Sequence, residues 1–135
     1  MSRMLPLLTW LGFAAVFVVA GCGDAEPPDY PVNGSDEQQI RAVVEISNAA
    51  VENQDGRLLC SDVLPPNGFD DAEIERCGDE VSAAMEENPD DWAEIELSKV
   101  WVSGDGATAT GTVGGKEGEF EFVRERGRWR MVVFD

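Results

Sequence analysis

At 135 residues the chain has room for one small domain, once an export leader of about 20 residues and a linker are set aside. Ten Lys and Arg stand against 27 Asp and Glu, a formal charge of −17; only Arg3 falls in the first 21 residues, so nine bases face 27 acids from Cys22 onward, or −18. A surface this acidic serves solubility, and it is repelled by nucleic-acid phosphates and anionic lipid headgroups, which excludes both as partners of the bulk surface.

The leader comes first. Met1-Ser2-Arg3 is a short positive start, and Met4 to Ala20 is an apolar run whose length suits a secretory signal and is marginal for a spanning helix. Val19-Ala20-Gly21-Cys22 follows, and this resembles the bacterial lipobox. The resemblance implies cleavage between Gly21 and Cys22 and acylation of the Cys22 thiol. One acyl chain binds a membrane marginally, whereas two or three hold it stably at about 0.8 kcal/mol per buried methylene. Residues 1–21 are therefore expected to be a lipoprotein signal peptide, and the chain to be lipid-anchored on the outer face of the cytoplasmic membrane or of another envelope membrane.

From 22 to 34 the chain reads as the lipidated cysteine and a flexible or partly extended linker, since Pro27, Pro28, Pro31 and Asn33-Gly34 offer little to bury. Stretched, such a linker reaches about 40 Å. The domain is expected over 35–135. Ser35 to Gln38 is a capping-box pattern, and Ile40, Val43, Val44, Ser47, Ala50 and Val51 then recur at helical spacing. Asn53-Gln54-Asp55-Gly56 ends that helix, with Gly56 suited to a left-handed stop. A short second helix, about Arg57 to Leu64, is broken by Pro65-Pro66-Asn67-Gly68. Asp70 or Asp71 caps a third, with Ile74, Cys77, Val81, Ala84 and Met85 on one stripe and Asn88-Pro89 at its end.

After Pro89 the period changes to two. Trp92 to Val102 alternates, with Ile95, Leu97 and Trp101 on one face and Glu94, Glu96 and Ser98 on the other. Turns at Ser103–Gly106, Gly114–Gly118 and Arg126-Gly127 separate three more strands, ending at Phe134. Short turns require antiparallel neighbours, so the pattern predicts a four-stranded meander. Helices first and strands afterwards predict α+β, with the helices packed on a curved antiparallel sheet.

Three cysteines would leave an odd thiol outside the cytoplasm. With Cys22 assigned to lipid, Cys60 and Cys77 form an even pair, and oxidation would pin the second and third helices together.

The element order, the Asn-Gln-Asp-Gly helix end, the cysteine soon after it and the closing Gly-Arg-Trp-Arg-Met-Val strand resemble the nuclear transport factor 2-like (cystatin-like) superfamily, over about Ser35 to Phe134. The resemblance implies a cone: a bent sheet around the first helix, often with an apolar pocket at the open end. Some members are isomerases, dehydratases or cyclases; many others are binding or assembly modules.

Enzymatic members commonly use an Asp–His pair or a lone carboxylate. This chain has no histidine, which removes the commonest general base, the Ser-His and Cys-His pairs and the usual nitrogen ligands of zinc. Asp62 is the candidate for a buried carboxylate base, and Ser61 has no activating partner in view. The acidic pairs Asp70-Asp71 and Asp90-Asp91 lack the spacing and glycine of a calcium loop, so neither a metal nor a cofactor is expected. Trp92, Trp101, Phe120, Phe122 and Trp129 are candidates for core or pocket lining. Arg124, Arg126, Arg128 and Arg130 form a local basic cluster, to be neutralised across strands by Glu119, Glu121 and Glu125 or to dock an acidic partner or anionic ligand.

The expected function is a non-enzymatic, lipid-anchored envelope protein that binds a protein partner or a small apolar ligand. The alternatives are a carboxylate-dependent enzyme of isomerase or dehydratase type, or an accessory subunit of a membrane complex. A homodimer through an exposed sheet face stays open.

Overall fold

Helix α1 (Asp36–Glu52) begins at a reciprocal cap: the Gln38 N–H donates to Ser35 Oγ at 3.2 Å, and the Ser35 N–H donates to Gln38 Oε1 at 2.9 Å. The computed structural model describes residues 28–65 and 70–132. The apolar leader and the Gly21–Cys22 junction lie outside these residues, as do 66–69 and the expected strand end at 133–134.

Of the expected stripe, Ile40, Val43, Val44, Ser47 and Ala50 are buried and Val51 is half-buried; Gln39, Ala42 and Ile46 are buried as well. The helix is wrapped more widely than one stripe because the preceding segment lies along it. Gln39 Nε2 donates to the carbonyls of Pro31 and Val32 at 3.0 and 3.2 Å. The linker expected over 22–34 is thus docked in its second half, and Tyr30 packs against the core.

The end of α1 departs from expectation. Gln54, not Gly56, takes the left-handed conformation, at φ 51°. Gly56 instead opens α2 (Gly56–Leu58), capped by the Asp55 carboxylate, which accepts the Leu58 N–H at 3.1 Å. A Cβ on Gly56 would collide with the Gly78 carbonyl, and one on Gly78 would sit 2.9 Å from Arg57 backbone. Both glycines are there for close helix contact. α2 continues into a single π-helical turn, Leu59–Val63, closed by the Leu64 N–H to the Leu59 carbonyl at 2.8 Å. The predicted second helix is therefore present, but widened over most of its length.

α3 (Asp71–Glu87) is capped by Asp70, whose carboxylate accepts the Glu73 N–H at 2.8 Å. Asn88 closes it, and Pro89 opens a 3-10 turn through Asp91. Cys60 and Cys77 are disulfide-bonded with Cα atoms 6.1 Å apart, joining the π-helical turn to α3 as the cysteine count predicted.

Strands β1 (Ile95–Ser103), β2 (Gly106–Val113), β3 (Lys116–Glu125) and β4 (Arg128–Val132) form one antiparallel sheet in the order β1-β2-β3-β4. Each hairpin has a two-residue loop. In the second and third, Gly114-Gly115 and Arg126-Gly127 all have positive φ, as the twist-matched hairpin turn requires. The predicted meander is present, and the fold is α+β.

Strand β1 differs from its predicted face pattern. It starts at Ile95 rather than Trp92, and its register shifts between Leu97 and Lys99. The bulge reverses the alternation, so Val100 now faces α1 and Trp101 faces outward, 53% exposed. Bulge formation is supported on both sides. Ser98 Oγ donates to the Thr110 carbonyl at 3.0 Å, and Arg41 of α1 donates to the carbonyls of Leu97 and Ser98 at 3.3 and 3.1 Å. Opposite Leu97 stands Gly111, where any Cβ would strike the Glu96 carbonyl.

The backbone of α1 runs nearest the two edge strands, β1 and β4, with large side chains from the central strands filling the space beneath it. The sheet therefore cups the helix. Ile40, Val43, Ala109, Phe120, Phe122 and Trp129 are core residues, all buried. α3 packs chiefly on α2 and the π-helical turn, a second layer rather than a direct cover for the sheet.

Candidate functional site

The two ends of the cup differ in what fills them. At one end Trp129 is fully buried, its indole Nε1 donating to the Asp36 carboxylate at 3.2 Å, with Phe122 beside it at 1% exposure. Arg124 lies over the Trp129 ring at 5.1 Å and pairs with Asp36 at 2.8 Å and Asp105 at 3.0 Å. This end is closed.

The other end is hollow. Val51 at the end of α1, Leu59 and Val63 from the π-helical turn, Trp92, Phe120 and Met131 surround a cavity of about 320 Å³. Ser47 is the polar group contributed by α1, and the carboxylates Asp91 and Glu119 stand at the lining's exposed margin. The wall is mainly apolar because Leu59 and Val63, four residues apart in the π-helical turn, are both buried against the core. At this size the space accepts a small ligand only.

Of the five aromatic candidates, Trp92 and Phe120 line the cavity, while Phe122 and Trp129 are core. Trp101 belongs to neither, because the bulge carries it to the other face of the sheet.

The arginines are divided rather than gathered. Arg124 points toward α1, Arg126 sits in the β3–β4 turn, and Arg128 and Arg130 lie on the outward side of β4. Cross-strand glutamates are not the main partners of the first and third. Arg124 pairs with Asp36 and Asp105, and Arg128 pairs with Asp62 at 3.7 Å while stacking 4.3 Å over the Tyr30 ring. Arg130 is buried at 5% exposure and donates to the Ser61 carbonyl. Burial, and after it the neighbouring Arg128 charge, lowers its pKa from the usual arginine value. Arg124, Arg128 and Arg130 thus brace the structure, while Arg126 is exposed in its turn.

Asp62 faces Arg128 at the edge of β4 and does not line the cavity. Ser61 Oγ donates to the Leu58 carbonyl at 3.3 Å. Among the described residues no group of three or more His, Cys, Asp or Glu is placed to hold a metal ion, and no helix is long and apolar enough to cross a membrane.

Three positioning residues escaped the sequence reading. Asn48 Nδ2 donates to the Ile95 carbonyl at 2.8 Å and its Oδ1 accepts the Ile95 N–H at 2.9 Å, sealing the free edge of β1 beside the cavity. Arg41, two helical turns earlier on the same face, seals the bulge. Tyr30 seals the opposite edge, its hydroxyl accepting the Trp129 N–H at 3.1 Å. The seven-residue spacing of Arg41 and Asn48, and a lone tyrosine within a proline-rich linker, were the available signals.

A scan against protein-family models found no match to the chain, and neither the curated proteins nor the solved structures yielded one.

Proposed function

We propose that this chain is a non-enzymatic, lipid-anchored protein of the bacterial cell envelope whose nuclear transport factor 2-like domain holds a small apolar ligand. The observation that carries this reading is the 320 Å³ apolar cavity at the open end of a sheet cupped around its first helix. Size and wall chemistry favour a compact apolar molecule, with Ser47 and the margin carboxylates available to a single polar end. A binding role is favoured over catalysis because the chain has no histidine, and its candidate base Asp62 is engaged with Arg128 away from the cavity.

The lipobox-like Val19–Cys22 segment supports the anchor. Since Tyr30 is docked on the domain, at most eight residues from Cys22 can act as tether, which bounds its reach at about 27 Å. That holds the domain close to the membrane surface while its charge opposes adhesion to anionic headgroups.

Two experiments test this. Labelled palmitate is expected on the wild-type chain and absent from Cys22→Ala; equal labelling of both would remove the anchor. Native mass spectrometry of residues 23–135, exported to an oxidising compartment, should show an added mass that leaves on denaturation. Ala93 also lines the cavity, so Ala93→Phe, which narrows it, should lose that mass. Bare masses for both proteins would remove the ligand-holding role.

A further inference from the structure

The outward side of the sheet, opposite α1, carries a feature that the cavity does not explain. Thr108, Thr110 and Thr112 line up along β2 as a low floor between two taller rows. One row, on β3, is Glu117, Glu119 and Glu121; the other, on β1, includes Glu96 and Trp101. Two adjoining hollows follow this floor. An acidic one of about 640 Å³ is bordered by Glu96, Glu117 and Glu119, and one of about 350 Å³ is bordered by Trp101, Glu121 and Val123. From Thr108 to Thr112 the floor runs about 13 Å.

Trp101 is 53% exposed here, so that about half of a large apolar side chain is left uncovered by the described residues. Among the described residues, none of Glu96, Glu117, Glu119 and Glu121 takes part in an ion pair. Lys99 is the one cation at the described outward positions of β1–β3. The face therefore combines an open aromatic anchor with a net negative charge, four glutamates against Lys99. A second copy of this chain would set acid against acid, and an anionic membrane would be repelled likewise. A cationic partner meets both features: its Arg or Lys side chains neutralise the glutamates, and one of them, or an adjacent apolar side chain, covers the Trp101 ring.

We propose that this groove along β2 docks a basic segment of another protein, with Trp101 as its anchor and Glu117, Glu119 and Glu121 as its charge-reading wall. This surface meets the apolar cavity at Gly118 and Glu119 of β3, and neither proposal depends on the other. The exported chain carrying Cys22→Ser leaves every described residue unchanged and serves as the reference. Binding is read by fluorescence anisotropy of a labelled synthetic peptide alternating arginine and leucine, with glutamate replacing arginine in a second peptide. The basic peptide should bind, more weakly as salt is raised, and the acidic one should not.

Trp101→Ala should weaken binding about tenfold or more, and so should Glu117→Gln with Glu119→Gln. Asp79→Asn with Glu80→Gln removes the same charge from exposed positions on α3 and should change affinity less than about twofold. Circular dichroism checks that each variant is folded. Any of four results overturns the proposal: no binding of the basic peptide, equal binding of the acidic one, full affinity in folded Trp101→Ala, or equal losses from the two charge-removal pairs. A dimer in sedimentation that Trp101→Ala dissolves would assign the face to self-association instead. Stronger binding to phosphatidylglycerol vesicles than to the basic peptide would assign it to the membrane.

Discussion

Asp36 sits in the first turn of α1 and accepts from both Arg124 Nη1 and Trp129 Nε1, so one carboxylate ties the helix start to β3 and β4. An acidic residue suits that position on its own account, since helix N-termini favour negative charge. Replacing Trp129 by Phe keeps an aromatic ring in the core but deletes the indole donor and leaves the Asp36 bond to Arg124 alone. We expect a loss of about 1–3 kcal/mol in urea denaturation, from the missing hydrogen bond and the unfilled space. Trp101→Phe, on the exposed outer face, should stay within about 0.5 kcal/mol of wild type in the same assay. Equal losses at the two positions would contradict the assignment of Trp101 to the outer face.

Among the elements, the crossing of α2 and α3 is the most demanding. Gly56 and Gly78 meet there, Ser82 Oγ accepts the Gly56 N–H at 3.0 Å, and the Cys60–Cys77 bond lies next to the contact. By helix propensity alone, Gly78→Ala would stabilise α3 by about 1 kcal/mol. Here its Cβ would press on Arg57 backbone, which cannot give as a side-chain tip could. The expected outcome is the opposite sign, a destabilisation of about 1–3 kcal/mol seen as a lower denaturation midpoint. At the edge of β1, Asn48→Ala should cost about 1–3 kcal/mol, because the Ile95 N–H and carbonyl lose both partners in a half-buried setting. Asn48→Asp, which keeps an acceptor and loses the donor, should fall between.

At the scale of the whole molecule, a small acidic domain depends on constraints beyond its core. The disulfide closes a loop over a sequence separation of 17, worth about 3 kcal/mol in the chain-entropy model. Chemical denaturation with and without reductant should show a difference of that order; an unchanged midpoint would mean the bond contributes nothing. The docked segment before α1 is a second constraint. Tyr30→Ala removes the stacking under Arg128 and the acceptor for the Trp129 N–H, so the melting temperature should drop by a few degrees. If it does not, the segment is only laid on the surface.

Much of the architecture was legible before any coordinates. Local signals carried it: the Ser35 cap, the Asp70 cap, the stop at Asn88-Pro89, the helical stripe of α1 and the three hairpin turns are each encoded within a few neighbouring residues. Cysteine parity, once Cys22 was set aside, pointed to the bond that joins Cys60 to Cys77. What the sequence left open depends on residues far apart in the chain. Whether Gly56 served a turn or a helix crossing was decided by α3. The facing of Trp101 turned on the bulge at Ser98, held by Arg41 and Thr110 from two other elements. Arg124 and Arg128, close in sequence, found separate carboxylates: on α1 and the first hairpin for one, on the π-helical turn for the other. A filled end and a hollow end share one alternating pattern, because period alone reports which side chains face inward. Only the packing of α1, the widened turn and Trp92 against the sheet determined how much room was left between them.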